Sequence, residues 1–134
     1  MYLKKDRVLT LLDAAIKEIH LLIDMSKDIE KPEDFDKDLS GLVIFRACGM
    51  SLQYITESYV KIRNICGNDF FKRYKSIPWP SVFGMRNFLS HGYGEVDTEG
   101  IFNTIKGNIP ELLRVSEAIR QDLTGGKLDP FFTN

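Results

Sequence analysis

Three long segments of this chain place an apolar residue at every third or fourth position, the spacing that lines one face of a helix. They cover residues 3–27, 40–66 and 98–123. Pro110 lies inside the last segment. Because proline lacks a backbone N–H, we expect it to kink that helix or to split it after Asn108. The pattern predicts an all-α fold, a bundle of four to five helices connected mostly up and down.

A charged connector separates the first two helical segments. It covers residues 28–39, and Pro32 argues against a continuous helix through its middle. Asp36, Asp38 or Ser40 is expected to cap the second helix, because short polar side chains accept hydrogen bonds from the free N–H groups of a first turn. We interpret the acidic residues of the connector as a solvated loop and not as a metal site.

A second break lies between the central helix and the next apolar segment. Residues 69–75 are predicted as a short helix with a basic face, and residues 76–80 as a proline-bounded turn. Ser81 is expected to cap the helix that follows. Trp79 is interpreted as a core or hinge aromatic and not as a platform for base stacking.

The length of 134 residues is that of one domain. We assign residues 1–124 to a single helical domain and residues 125–134 to a C-terminal tail. The formal net charge of −1 excludes the global positive field that is typical of obligate nucleic-acid-binding proteins. Any RNA site must therefore be a local patch. The candidate basic residues for such a patch are Arg46, Lys61, Arg63, Lys72, Arg73, Lys75 and Arg86.

Cysteine usage and hydropathy indicate the compartment. Cys48 and Cys66 lie on one predicted helix, about 27 Å apart at 1.5 Å per residue, so they cannot form a disulfide with each other. No metal-ligand spacing surrounds them, and we expect small buried side chains in a reducing compartment. The N-terminus lacks an apolar signal segment, and no run approaches the ~20 apolar residues of a membrane span. We therefore expect a cytoplasmic protein with no membrane contact.

The helix predicted over residues 40–66 is apolar around much of its circumference. Leu52 and Tyr59 belong to its main stripe, whereas Met50 and Tyr54 lie on other sides. A helix with surplus apolar surface is either central in the fold or in contact with a second subunit. The sequence therefore favours a dimer.

Polar, ionisable and aromatic residues crowd into Met85–Asp97. This stretch contains Arg86, Asn87, His91 and Tyr93 within eight positions. Asn87 and His91 are four residues apart and share a helix face, and Arg86 lies one position around the cylinder. They predict one polar patch, provided that the helix continues to about His91.

These side chains suit chemistry at a phosphate group. Histidine gives and takes protons near neutrality, and the planar guanidinium of arginine fits phosphate oxygens. Asn87 can orient either group, because its amide both donates and accepts. A His–Arg pair without a carboxylate cluster favours RNA cleavage that needs no metal and no cofactor. On spacing alone, the more ordinary interpretation is that Arg86 and His91 decorate a solvated helix end.

Several segments, in the same order, are similar to those of one known family. The segment R-N-F-L-S-H-G-Y at Arg86–Tyr93 resembles the R-x4-H-x-Y signature of the HepT-like toxins, a branch of the HEPN domain superfamily. I-P-W at Ile77–Trp79 and G-M-R-N at Gly84–Asn87 precede or overlap it. G-E-V-D at Gly94–Asp97 and I-P-E-L at Ile109–Leu112 follow it. The resemblance covers most of the chain.

This resemblance implies a fold, an activity and a set of partners. The expected fold is a HEPN-like helical bundle that forms a homodimer, with the motifs of both subunits near a shared cleft. The implied activity is a toxin-type, metal-independent endoribonuclease in which Arg86 and His91 are catalytic and Asn87 is supporting. The implied partner is a minimal nucleotidyltransferase antitoxin, which transfers AMP to the motif tyrosine, here Tyr93. Tyr93 is equally well interpreted as an aromatic residue packed at the helix end.

Two other functions remain open at this point. The chain is alternatively a non-catalytic binding module that docks a nucleotidyltransferase or holds a nucleotide, with the motif residues as ligand contacts. It is also compatible with a helical scaffold that binds no ligand, in which case Arg86 and His91 would be freely replaceable. The sequence names neither the RNA nor the antitoxin.

Overall fold

The computed structural model describes residues 3–91 and 98–133, except for the side chains of residues 86–91. In these parts of the chain the helices are α1 Leu3–Met25, α2 Leu39–Cys66, α3 Trp79–His91, α4 Thr98–Asn103 and α5 Ile109–Thr124. Short 3₁₀ turns lie at Pro32–Phe35, Asn68–Phe71 and Asp129–Phe131. The same residues contain no strand. The predicted all-α helical bundle is confirmed.

The central element of the bundle is α2, since it packs against both α1 and α3, while α1 also packs against α5. Leu12 and Ile19 of α1 and Leu52 of α2 are almost completely buried in the common core. Each side chain of this kind stabilises the fold by about 1.5–3 kcal/mol. A hydrogen bond from Ser51 Oγ to Glu18 Oε2, 2.6 Å long, joins α1 and α2. No helix in residues 3–91 or 98–133 is long and apolar enough to cross a membrane.

The connector between α1 and α2 is held by two aspartates. Asp38 caps α2, because its Oδ1 accepts a hydrogen bond from the Gly41 N–H at 2.7 Å, which confirms one of the three predicted caps. Asp34 is buried in the 3₁₀ turn Pro32–Phe35, where its Oδ2 accepts from the Glu30 N–H at 2.9 Å. This backbone hydrogen bond keeps the pKa of the Asp34 carboxyl below its usual value.

The segment from α4 to α5 is nearly continuous helix. Between them, Thr104–Asn108 forms a π-helical turn, a wider turn than the α-helix provides. Pro110 lies in the first turn of α5, directly after this π-helical turn, and it lacks the N–H that a regular α-helix would use there. The predicted boundary after Asn108 is confirmed as a change from π-helical to α-helical geometry.

The C-terminal residues pack on the bundle. Leu128 is completely buried. The ring of Phe131 meets that of Phe70 edge-on, with 5.4 Å between the ring centroids. Lys5 Nζ of α1 donates to Asp129 Oδ1 at 2.7 Å. These contacts place the chain end against α1 and against the turn that follows α2.

Two local predictions are wrong. The helix α3 begins at Trp79, two residues before the predicted cap, so Ser81 does not cap it. The Ser81 N–H donates to the Pro78 carbonyl oxygen at 2.9 Å, which places Ser81 inside the first turn. The short helix predicted over 69–75 is only a 3₁₀ turn at Asn68–Phe71. A tight turn buries the adjacent side chains at 70 and 71 together, which a longer surface helix would not do.

Both cysteines are free thiols. Cys48 is buried, as expected, whereas Cys66 is only half-buried. Burial raises the pKa of each thiol to about 11. Both therefore stay protonated near neutrality and are poor nucleophiles.

We expect Gly41→Ala to destabilise the fold by about 1–3 kcal/mol, the usual cost of overpacking. An added methyl group would overlap the backbone carbonyl oxygen of Asp34, which cannot rotate away as a side chain would. Urea unfolding followed by circular dichroism, at one fixed protein concentration, measures this change.

Gly84→Ala is the matched control, because no described atom outside its own helical turn lies within 4 Å of a Cβ added there. In the interior of α3 it should stabilise the fold by about 0.5–1 kcal/mol, since alanine is the better helix former. A similar free energy of unfolding for both variants would contradict the role given to the contact between Gly41 and Asp34.

Candidate functional site

The helix α3 carries most of the predicted site. Arg86, Asn87 and His91 all lie in it, and it ends at His91, so the expectation that the helix continues that far is confirmed. By helical register Asn87 and His91 share one face, and Arg86 lies one position around the cylinder. Tyr93 lies outside the described residues. The fold therefore brings three of the four predicted residues onto the last two turns of one helix.

Aromatic side chains fix the first half of α3 in the core. The buried ring of Trp79 lies 4.5 Å from that of Phe71 and 5.1 Å from that of Tyr59, measured between centroids. Phe83, one turn further along α3, lies 5.3 Å from Phe71. Trp79 Nε1–H donates to the Tyr74 carbonyl oxygen at 2.9 Å. Trp79 is thus a core residue, as predicted, and its helix is anchored on both α2 and the turn after α2.

Two phenol groups tie this aromatic cluster to α5. Tyr59 Oη and Ser116 Oγ share a hydrogen bond that is completely buried. Tyr74 Oη donates to Asp122 Oδ2 at 2.7 Å. Burial raises the pKa of both phenols, and the Asp122 carboxylate raises that of Tyr74 further. Both tyrosines therefore remain neutral, and the segment that leads into α3 is held between α2 and α5.

Two of the predicted basic residues line one cleft beside α3. Arg63 of α2 and Lys72, just after the 3₁₀ turn, border a cleft of about 620 Å³ together with Phe83 and Gly84 of α3. The guanidinium carbon of Arg63 lies 4.5 Å from the centroid of the Phe83 ring. The other candidates whose side chains are described do not line this cleft: Arg46, Lys61, Arg73 and Lys75.

This pairing of Arg63 with Phe83 was not predicted. Arg63 was expected only to contribute positive charge. The two residues belong to different helices, and no spacing rule relates positions on separate helices. Only the packing of α3 against α2 brings them together.

A second hollow lies on another side of α3. It has a volume of about 510 Å³, and Val82 and Met85 face Leu52 of α2 across it. Glu111 of α5 also borders it. Hydrogen bonds from Arg114 and from Ser76 lower the pKa of Glu111 to about 2, so this carboxylate is ionised at any physiological pH. This cavity is largely apolar. By helical register, Val82 and Met85 lie on a different face of α3 from Asn87 and His91.

The described part of the chain contains no cluster of metal-ligating side chains. Within residues 3–91 and 98–133, excluding the side chains of 86–91, no three His, Cys, Asp or Glu side chains lie close enough to bind one ion. Two carboxylates of the acidic connector, those of Asp34 and Asp38, accept hydrogen bonds from backbone N–H groups.

Fold and motif together define a small all-α bundle with an arginine and a histidine five positions apart on one core-anchored helix. Comparison with protein families matches residues 12–119 to the family described as Ribonuclease HepT-like. The matched region contains α2, α3 and the entire stretch from Arg86 to Tyr93. The chain therefore belongs to the HepT-like ribonuclease family, which confirms the resemblance noted from its motifs.

Curated relatives agree with this assignment. A candidate RNase of Caldanaerobacter subterraneus subsp. tengcongensis is 34% identical over 82% of this chain and 91% of its own length. A protein of Thermococcus cleftensis named "Probable ribonuclease HepT" is 30% identical over 75% of this chain and 93% of its own. A candidate RNase of Methanocaldococcus jannaschii is 31% identical over 76% of this chain and 81% of its own. No solved structure gives a significant match.

Proposed function

We propose that this protein is the toxin of a toxin–antitoxin pair and acts as an endoribonuclease without a metal ion. The observation that carries the proposal is the position of Arg86 and His91 on one helix of a HepT-like ribonuclease fold. Family membership supports ribonuclease activity. The chemistry of the two side chains supports the metal-independent route.

The reaction follows from what these side chains do near neutral pH. The 2′-oxygen of a ribose forms a bond to the adjacent phosphorus, and the bond from phosphorus to the 5′-oxygen breaks. One proton leaves the 2′-hydroxyl and one is delivered to the 5′-oxygen, so the products are a 2′,3′-cyclic phosphate and a 5′-hydroxyl. His91 performs one of these proton transfers, because imidazole is populated in both protonation states near neutrality.

Arg86 and Asn87 support that transfer. The phosphorane-like transition state has more negative charge on its oxygens than the starting diester. A guanidinium stabilises it because arginine is always charged and donates two parallel hydrogen bonds. The Asn87 amide both donates and accepts, and it holds either the imidazole or the guanidinium in position.

We also propose that the active form is a homodimer that pairs through α2. Five large apolar side chains are exposed along this helix: Leu39, Leu42, Val43, Met50 and Tyr54. By helical register they fall on one broad side of α2. An exposed apolar stripe of this length marks an interaction surface. A second copy offers the same stripe, and pairing would bring two Arg–His motifs into one molecule. That doubling concentrates positive charge in a chain whose net charge is −1.

Control by the antitoxin is assigned to Tyr93. A minimal nucleotidyltransferase would transfer AMP from ATP to the tyrosine. A bond forms between the phenol oxygen and the α-phosphorus, pyrophosphate leaves, and the phenol proton is lost. The added phosphate is negative and is two positions from His91 in the sequence, so it competes with RNA for the cationic groups.

Substitution of the motif residues tests the proposed nuclease. In EDTA, His91→Ala and Arg86→Ala should each slow RNA cleavage by at least about 100-fold, the usual contribution of a proton-transfer or charge-stabilising group. His20→Ala and Arg7→Ala are matched controls, because both residues are exposed on α1, and they should cleave at the wild-type rate. Cleavage is followed with a labelled RNA on a denaturing gel.

Other outcomes of this experiment distinguish the functions. Equal residual cleavage by all five proteins would identify a contaminating nuclease and contradict the assignment. An absence of cleavage by the wild type on several RNAs, together with motif-dependent binding of the nucleotidyltransferase, would replace the nuclease by the non-catalytic binding module.

A charge in the apolar stripe of α2 tests the proposed dimer. Met50→Glu places a charge in the exposed apolar stripe, and we expect it to convert the dimer to a monomer while the helix content is kept. Size-exclusion chromatography with light scattering measures the mass over a range of concentrations. Leu3→Glu is the control, because Leu3 is equally exposed but lies at the start of α1, and it should remain dimeric. A monomeric wild type at all concentrations would exclude this dimer.

Mass spectrometry tests the proposed modification of Tyr93. After co-expression with an active nucleotidyltransferase partner, mass spectrometry should find one or more AMP groups on the peptide that contains Tyr93. Tyr93→Phe should abolish this modification, whereas Tyr54→Phe, which removes an exposed phenol on α2, should leave it intact. An unmodified Tyr93 under conditions where the partner modifies another substrate would remove the proposed switch.

A further inference from the structure

The cleft between the end of α2 and the first half of α3 has the composition of a stacking site. Its volume of about 620 Å³ lies within the usual range of small-ligand sites. Phe71 and Phe83 form part of its wall, and the Arg63 guanidinium lies over the Phe83 ring at 4.5 Å. Arginine planes and aromatic rings are the two surfaces on which unpaired bases stack in RNA-binding proteins.

The charge of the cleft suits a polyanion. Among the described residues, no Asp or Glu lines it, whereas the basic residues Arg63 and Lys72 do. Lys72 stands at the rim and pairs with Asp69 at 2.7 Å, but both side chains are about three-quarters exposed. A solvated pair of this kind contributes little and is readily exchanged for a phosphate contact. Asn68, also at the rim, offers an amide that can both donate and accept.

The cleft lies on the same side of α3 as part of the motif. Pro80 and Gly84 line it, and Asn87 and His91 continue the same helix face at steps of three and four residues. His91 is seven residues beyond Gly84, about 10 Å along the axis at 1.5 Å per residue. A strand bound at His91 therefore needs to extend only a short distance to reach the cleft.

Gly84 keeps the cleft open. Among the described residues outside its own helical turn, no atom lies within 4 Å of a Cβ placed on it. Glycine inside a helix is less stable than alanine, so helix formation gives no reason for its presence here. Space in front of the helix backbone is instead what a planar base needs in order to approach Arg63.

We propose that this cleft is a base-binding subsite for single-stranded RNA. One base next to the phosphate that is cleaved stacks on the Arg63 guanidinium over Phe83, and Lys72 contacts the backbone phosphate at the rim. The proposal rests on the ribonuclease function proposed above and adds a substrate class to it, unpaired RNA. It makes Arg63 a binding residue that the family motif does not contain.

The test uses binding, so it does not depend on cleavage. Fluorescence anisotropy measures the affinity of the full-length protein for a labelled 2′-O-methyl RNA dodecamer, which lacks the attacking hydroxyl. A second dodecamer has the same backbone but abasic positions. Arg63→Gln should weaken binding of the first by at least about fivefold, the lower range for loss of one stacked base, and should hardly change binding of the second.

Two further variants control for charge and for folding. Arg7→Gln removes an equally charged residue on α1 and should leave both affinities unchanged. Gly84→Leu retains Arg63 but fills the cleft, and it should weaken binding of the dodecamer with bases as Arg63→Gln does. Circular dichroism verifies the helix content of each variant.

Three results would overturn the proposal. The first is an equal loss of affinity for the two dodecamers, since charge alone would then explain Arg63. The second is an unchanged affinity in Arg63→Gln while the wild type cleaves RNA, which rejects the subsite but not the nuclease. The third is a change of mass in light scattering for Arg63→Gln or Gly84→Leu, because a second copy would then occupy the cleft. Base-dependent binding without any cleavage would support the subsite and reject the nuclease.

Discussion

The contact of Trp79 with Phe71 and Tyr59 determines where α3 lies, and the rest of the site depends on that position. Each aromatic pair adds about 0.5–1.5 kcal/mol beyond the area that it buries. The cluster joins α2, the turn after it and α3, and the bond between Tyr59 and Ser116 extends it to α5. The described aromatic contacts of α3 lie in its first half, and Arg86, Asn87 and His91 belong to its second half.

This arrangement bears on how a nearly neutral chain would bind RNA at the proposed site. With a net charge of −1, the protein has no general attraction for nucleic acid, and affinity must come from a few groups in fixed positions. The anchored helix supplies the fixed position. The Arg63 and Phe83 cleft adds a stacking surface on one side, and the apolar stripe of α2 offers a way to bring a second motif close. The proposed binding, cleavage and dimerisation would thus all depend on two adjacent helices.

Much of the fold follows from the sequence because apolar periodicity and helix-ending residues are local signals. The spacing gave the long helices to within a few residues, and the lack of an N–H in Pro110 predicted the boundary before α5. The start of α3 and the turn at 68–71 were misjudged, because tertiary contacts of Phe70, Phe71 and Trp79 decide them. The motif residues could be named from their order in the chain. Arg63 could not be placed beside Phe83, since that contact exists only after two helices pack.

The central claim is that this fold cleaves RNA through the 2′-hydroxyl without a metal ion, and the ends of the products test it most directly. A short RNA of defined sequence is cleaved by the wild-type protein in EDTA, and the fragments are identified by mass spectrometry. The account predicts a 2′,3′-cyclic phosphate, or the monophosphate that forms when it hydrolyses, on one fragment and a 5′-hydroxyl on the other. A 3′-hydroxyl with a 5′-phosphate would contradict it. Those ends form when water attacks the phosphorus and the bond from phosphorus to the 3′-oxygen breaks.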